Sequence, residues 1–188
     1  MNLAAQSSTP SPAAGGFGPI ERVQNRLAGG AFSPHRHDTY TVALTMSGVQ
    51  AFNYRGATRH SLPGQVLILH PEELHDGHCH DEAGFSYRAA YVPPTHVQAV
   101  LGGAELPFVA QGVSTNPALL AAARTMVIDC AGVADPAAYE DALYDLAQAM
   151  NLAAGKAALV RIANRTAVMQ AREFLETVVV SGARLDQL

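Results

Sequence analysis

Pro34-His35-Arg36-His37-Asp38-Thr39-Tyr40, answered further along by Pro63-Gly64 and then by His70-Pro71-Glu72-Glu73-Leu74-His75, is the stretch that decides the fold. In a strand, residues two apart share a face, so His35 and His37 are expected to point the same way. An antiparallel partner ending near His75 would set a third imidazole beside them. The pattern predicts a pocket with polar anchors.

Working outward, the chain carries short runs of β-branched and aromatic residues at Thr39–Met46, Val49–Tyr54, Gln65–Leu69 and Phe85–Val92. Ser47-Gly48, Arg55-Gly56, Pro63-Gly64 and Pro93-Pro94 separate them, about eight to twelve residues apart, which is the rhythm of a sandwich or barrel. Val66-Leu67-Ile68-Leu69 is continuously apolar and is expected to be covered on both faces. About six to eight strands are therefore predicted to close a jelly roll or β-barrel over residues 19–114, with one short helix, Pro94 to Leu101, on its rim.

The flanks read differently. Residues 1–18, rich in Ala, Ser, Pro and Gly, offer little to bury and are expected to form a flexible tail. Asn116-Pro117 is a helix cap followed by proline at the first helical position, and Leu119, Leu120, Ala123, Met126, Val127 and Cys130 recur at helical spacing. Asp135-Pro136 repeats the signal and opens a second helix to about Ala154, with Tyr139, Leu143, Leu146 and Met150 as its apolar stripe. Residues 115–163 thus form a helical segment, and the stripe is a candidate dimer seam. A third helix is expected over Thr166–Val179, with another opening turn at Arg184-Leu185-Asp186-Gln187-Leu188.

The 188 residues are 48 % hydrophobic with a formal net charge of -4. That suffices for one substantial core, and the scattered Lys and Arg form no basic face for nucleic acid. No apolar run approaches the roughly 18 residues of a spanning helix. Cys79 and Cys130 lie far apart and form no disulfide framework, which suits a reducing compartment. The expected location is the cytoplasm, away from membranes.

Taken in order, Pro34–Tyr40, Ser47-Gly48, Leu62-Pro63-Gly64-Gln65-Val66 and His70–Gly77 resemble the N-terminal sensor domain of AraC-type transcription regulators, a cupin-like jelly roll. Ala171-Arg172-Glu173-Phe174-Leu175 with Arg184–Leu188 looks like the beginning of that family's helix-turn-helix DNA-binding domain, here residues 164–188. The resemblance implies a dimeric, non-enzymatic regulator that binds a small-molecule effector in its barrel and reaches DNA only through the C-terminal domain.

Three readings of His35, His37 and His75 stay open at this point. Three imidazoles on an inward face suit zinc, nickel, copper or iron. They can instead contact a polar group of an organic effector, or cap strand ends. Metal-binding cupins usually place a carboxylate shortly after the second histidine, where Thr41, Val42 and Ala43 stand here, so a fourth ligand would come from Asp38, His78 or His80. That gap counts against the alternative of a metal-dependent cupin enzyme. Tyr40, Phe52, Tyr54 and Tyr87 are the aromatic candidates for lining the ligand cavity, with Arg55 and Arg88 as possible carboxylate partners. His78, Cys79 and His80 are expected in a solvated loop, and His60 and His96 at the surface or in turns.

Overall fold

In the computed structural model the chain divides into two compact units, Met1–Ala158 and Leu159–Leu188. The structure describes residues 6–8, 20–130 and 136–157, all within the first. The expected third helix and the start of a DNA-binding domain lie outside the described residues.

Ten strands are present among the described residues: β1 Gln6–Ser8, β2 Glu21–Leu27, β3 Ala31–His35, β4 Tyr40–Gly48, β5 Gln50–Tyr54, β6 Ala57–Ser61, β7 Val66–Leu69, β8 His75–Cys79, β9 Phe85–Val92 and β10 Val113–Ser114. They form two antiparallel sheets, β1-β2-β9-β4-β7-β10 and β3-β8-β5-β6. The mainly antiparallel two-sheet architecture is the one expected, although the strand count is higher. The additional strands β2, β3, β6 and β8 are polar enough that no hydrophobic alternation announces them. Gln6–Ser8, inside the stretch expected to be a tail, pairs with β2.

Turn chemistry sets the registers. Arg55 and Gly56 both have positive φ, the geometry of a two-residue hairpin turn, and Tyr54 pairs with Ala57 directly across it. Gly48 has a tighter requirement, since a Cβ there would lie 2.0 Å from the Gly84 carbonyl oxygen.

Alternation along the central strands builds the two layers. Thr41, Ala43 and Thr45 of β4 pair with Tyr91, Ala89 and Tyr87 of β9, and Thr41 and Ala43 also pair with Leu69 and Leu67 of β7. These residues face the second sheet, where Phe52 and Tyr54 join Ala43, Leu67, Leu69 and Ala89 in one core cluster. Tyr40, Val42, Leu44, Val66, Ile68, Ala90 and Val92 point to the opposite face and are equally buried. That face carries the helical layer, which is why β7 is apolar throughout, as expected.

The helices follow their sequence signals. α1 covers Pro94–Val100 and α2 covers Pro117–Arg124, where the Asn116 side chain accepts hydrogen bonds from the Ala118 and Leu119 amides. A π-helical turn, Thr125–Asp129, continues α2, and α3 spans Pro136–Ala153. The candidate dimer seam is corrected here. Leu143, Leu146 and Met150 have no exposed surface within the single chain, because α3 packs on α1 and α2.

Candidate functional site

Strand pairing assembles the histidines. β3 runs antiparallel to β8 with His35 opposite His75, and the chain leaves β3 immediately afterwards, so His37 sits in the connection to β4 rather than two along a strand. A second contact holds that connection, with the Glu72 amide donating to the His37 carbonyl at 2.7 Å. Glu72 adopts φ 61 to do so, a left-handed conformation uncommon for residues other than glycine. The Pro71–Leu74 turn therefore aligns the loop carrying His37 with the strand carrying His75.

The ring nitrogens follow from the hydrogen bonds. His35 Nδ1 donates to the Ser33 carbonyl at 2.7 Å and His75 Nδ1 donates to the Glu73 carbonyl at 2.9 Å. A carbonyl oxygen can only accept, so in each neutral ring Nε2 keeps its lone pair. His37 Nε2 lies 3.1 Å from His35 Nε2 and donates to it. Burial lowers the pKa values of His37 and His75, and the neighbouring histidines add to the effect. Both rings are thus neutral at pH 7.

The three rings open onto a cavity of about 100 Å³ between the sheets, lined further by Phe32, Thr41, Ala43, Gln50, Leu67, Leu69, Asp76, Tyr87 and Tyr91. Two lining atoms stand out chemically. Thr41 Oγ1 and Gln50 Oε1 are buried without a hydrogen-bond partner, one from each sheet. Asp76 is already engaged, its carboxylate accepting from the Asn53 amide at 2.7 Å and from Asn53 Nδ2 at 2.8 Å. Burial alone would raise the Asp76 pKa, but these hydrogen bonds and the nearby His78 and His75 hold it below its ordinary value.

The triad fits a metal ion. One ligand nitrogen from each of His35, His37 and His75 lies within 4.8 Å of the others, while ligands at 2.1 Å in a tetrahedral zinc site sit about 3.4 Å apart. Donation of the second ring nitrogen to a backbone carbonyl, present at His35 and His75, is the usual support for a metal-ligating imidazole. Neutral nitrogen donors suit first-row divalent ions such as zinc, nickel or iron.

Among the sequence candidates, the structure brings His35, His37, His75 and Tyr87 to the cavity. Tyr40, Phe52 and Tyr54 are not among the lining residues. Tyr40 is on the helix-facing side of β4 and donates to the Pro107 carbonyl, Phe52 is fully buried in the core cluster, and Tyr54 hydrogen bonds to His70. Arg55 stacks over Phe108 and pairs with Glu73 at 3.7 Å, and Arg88 falls on the face of β9 away from the cavity. Nor do the proposed fourth ligands join the triad. Asp38 and His80 are exposed, and His78 faces Asp76 at 3.7 Å. His78 and Cys79 belong to β8 rather than to a loop. His60 lies in β6, and His96 in α1 contacts the Tyr139 hydroxyl at 3.0 Å.

Sequence reasoning missed Thr41 and Gln50. The signal was there in Thr41-Val42-Ala43-Leu44-Thr45, where the small and polar members share one face of an otherwise apolar strand.

The family described as AraC-like ligand binding domain matches residues 17–147, more than half of the chain. A cupin 2 conserved barrel domain protein from Salinispora arenicola is similar at 25 % identity, over 48 % of this chain and 76 % of that one, with TM-score 0.42. A cupin-2 domain containing protein from Shewanella frigidimarina is similar at 13 % identity, over 49 % and 82 % of the two chains, with TM-score 0.40. The cupin domain of an XRE family transcriptional regulator from Enterobacter cloacae is similar at 18 % identity, over 40 % and 82 %, with TM-score 0.36. No curated protein matches the chain. By the family match over residues 17–147, the chain belongs to the AraC-like ligand binding domain family.

Proposed function

We propose that this chain senses a small-molecule effector in the cavity between its sheets, as the regulatory and non-catalytic domain of an AraC-type transcription regulator. The observation that carries the reading is the convergence of three imidazoles with two unpartnered buried oxygens, on Thr41 and Gln50, around one cavity. Such an arrangement leaves recognition unfinished until a ligand arrives. His35, His37 and His75 would hold a divalent metal, which when bound supplies a Lewis-acidic anchor for the effector. A catalytic role finds less support, because Thr41 occupies the neighbourhood where metal cupin enzymes carry a carboxylate and the Asp76 oxygens are committed to Asn53.

The same strands connect the cavity to the helices. Thr41, Leu67 and Leu69 line the cavity, while their neighbours Val42, Val66 and Ile68 are buried on the opposite face, where α2 contacts β4 and β7. A displacement of β4 or β7 on binding is felt at once by the helical layer. A regulator needs its effector to favour one arrangement of sensor and DNA reader, and a hundredfold preference amounts to about 2.7 kcal/mol of coupling. In this reading the rim from Pro34 to Asp38 and α3 are the parts that differ between the two states. The regulator works as a cytoplasmic homodimer, with DNA contacted by the C-terminal helix-turn-helix domain. No helix among the described residues is long and apolar enough to cross a membrane.

Thermal shift of the zinc-loaded protein against a panel of compact acids, alcohols, amines and sugars tests the proposal. A ligand at a hundred times its dissociation constant adds about 2.7 kcal/mol, and that gain is expected to vanish in His75→Ala. A panel without a hit, or hits indifferent to His75→Ala, would remove this function from the cavity.

A further inference from the structure

The donor set at the triad is uncharged. His75 presents an Nε2 lone pair, the Nε2 atoms of His35 and His37 lie 3.1 Å apart where one ion could replace the hydrogen between them, and Asp76, the carboxylate among the lining residues, has its oxygens occupied by Asn53. Asp38 and Glu21 are exposed to solvent. A divalent ion held by three neutral imidazoles keeps its full charge and favours an anionic oxygen as its next ligand. The same cavity is lined by two residues with unsatisfied groups. Gln50 is 8 % exposed and Thr41 is 7 % exposed, and neither Gln50 Oε1 nor Thr41 Oγ1 meets a partner. Gln50 Oε1 can only accept, so it selects a donor.

Resting on the metal-anchored sensor reading above, we propose that Gln50 and Thr41 are the specificity residues of the cavity and that its effector is a compact oxyanion bearing a hydroxyl group. The anionic end binds at the triad's metal. The hydroxyl donates to Gln50 Oε1, which comes from β5, and exchanges a hydrogen bond with Thr41 Oγ1, which comes from β4. The effector thereby ties the two sheets together, and a cavity of about 100 Å³ suits a small molecule.

The hydroxyl supplies the discrimination. A site built to pair a ligand hydroxyl rejects the analogue lacking it, because its own polar groups are then left buried and unpaired. Glycolate and acetate differ by that one group. Cobalt-loaded protein titrated with each, followed by the visible cobalt bands, is expected to bind glycolate at least about tenfold more tightly. Gln50→Leu and Thr41→Val are each expected to shrink that preference while cobalt and acetate affinities stay unchanged. Both substitutions remove a polar atom that has no partner, so each is expected to raise the Tm of the ligand-free protein by about 2–4 °C.

Equal affinities for glycolate and acetate would overturn the inference. So would a glycolate preference that survives in both variants, since chelation at the metal alone would then account for it, or a lowered Tm with the preference intact, which marks the two residues as structural. Failure to bind stoichiometric cobalt is a different result, and it removes the metal anchor beneath the inference.

Discussion

Two histidine sites lie in this sandwich, one finished and one open. His70, directly after β7, is buried with both ring nitrogens engaged. Its Nε2 accepts from the Val109 amide at 3.0 Å and its Nδ1 donates to the Tyr54 hydroxyl at 2.7 Å. Phe108 packs on the ring at 4.4 Å between centroids, with Arg55 stacked over Phe108. The triad of His35, His37 and His75 lines a cavity instead, with Nδ1 of His35 and His75 bonded to backbone carbonyls and Nε2 of His35 and His37 3.1 Å apart. A histidine saturated by its own protein serves the fold, whereas the proposed role of histidines that share a cavity with unpaired oxygens is to serve a ligand.

The contrast breaks most sharply on stability. His70→Ala leaves the Val109 amide without a partner, leaves the Tyr54 hydroxyl only its 3.4 Å bond from the residue 70 amide, and opens a void, an expected loss of about 4 kcal/mol in urea denaturation. The pH dependence comes next. Burial first, and then the Arg55 guanidinium, push the His70 pKa down to about 4. The unfolded chain takes up this proton near pH 6.5 and the folded chain only near 4. Stability from this residue is therefore full above about pH 6.5 and declines by about 3 kcal/mol as the pH falls to 4. Denaturation curves across that window would show the slope, and His70→Ala should flatten it.

Smaller effects sharpen the comparison. Tyr54→Phe strips the acceptor from His70 Nδ1 while keeping the ring, at an expected cost of about 1–2 kcal/mol. His35→Ala should move stability by less than about 1 kcal/mol, because the ring's one bond to the protein frame is to a carbonyl in its own strand, yet it should abolish metal binding measured by competition with a chromophoric chelator. Arg55→Ala, losing a stacking contact at the protein surface, should cost about 0.5 kcal/mol. A His35→Ala loss as large as that of His70→Ala would erase the distinction between the two sites.

The sequence carried much of this. β4, β5, β7 and β9, the rim helix, both helix starts with their Asn-Pro and Asp-Pro signals, and the meeting of His35 with His75 all follow from local pattern and turn residues. His37 reached the cluster by another route than strand alternation, through the Glu72 amide on its carbonyl, a long-range contact with no local signature. The saturation of His70 is not legible in the sequence because nothing nearby announces Val109, which follows α1 in the chain. Tyr40 looked like lining because aromatic type does not reveal face, and only the register of β4 against β7 and β9 puts it on the helix side; Phe52 and Tyr54 do face the space between the sheets but are consumed there, in the core cluster and in the bond to His70. The stripe Leu143, Leu146 and Met150 had the spacing of a seam, and a helix packed on its own α1 and α2 has the same spacing.

The central claim, that the triad is an open anchoring site on the cavity, is met most directly by anomalous diffraction at the zinc edge from crystals of the zinc-loaded protein. The account predicts one anomalous peak about 2.1 Å from nitrogens of His35, His37 and His75, on the side facing Thr41 and Gln50. Crystals showing no peak there, or zinc lodged only at the surface pair His60 and His80, whose rings stand 5.1 Å apart, would contradict it.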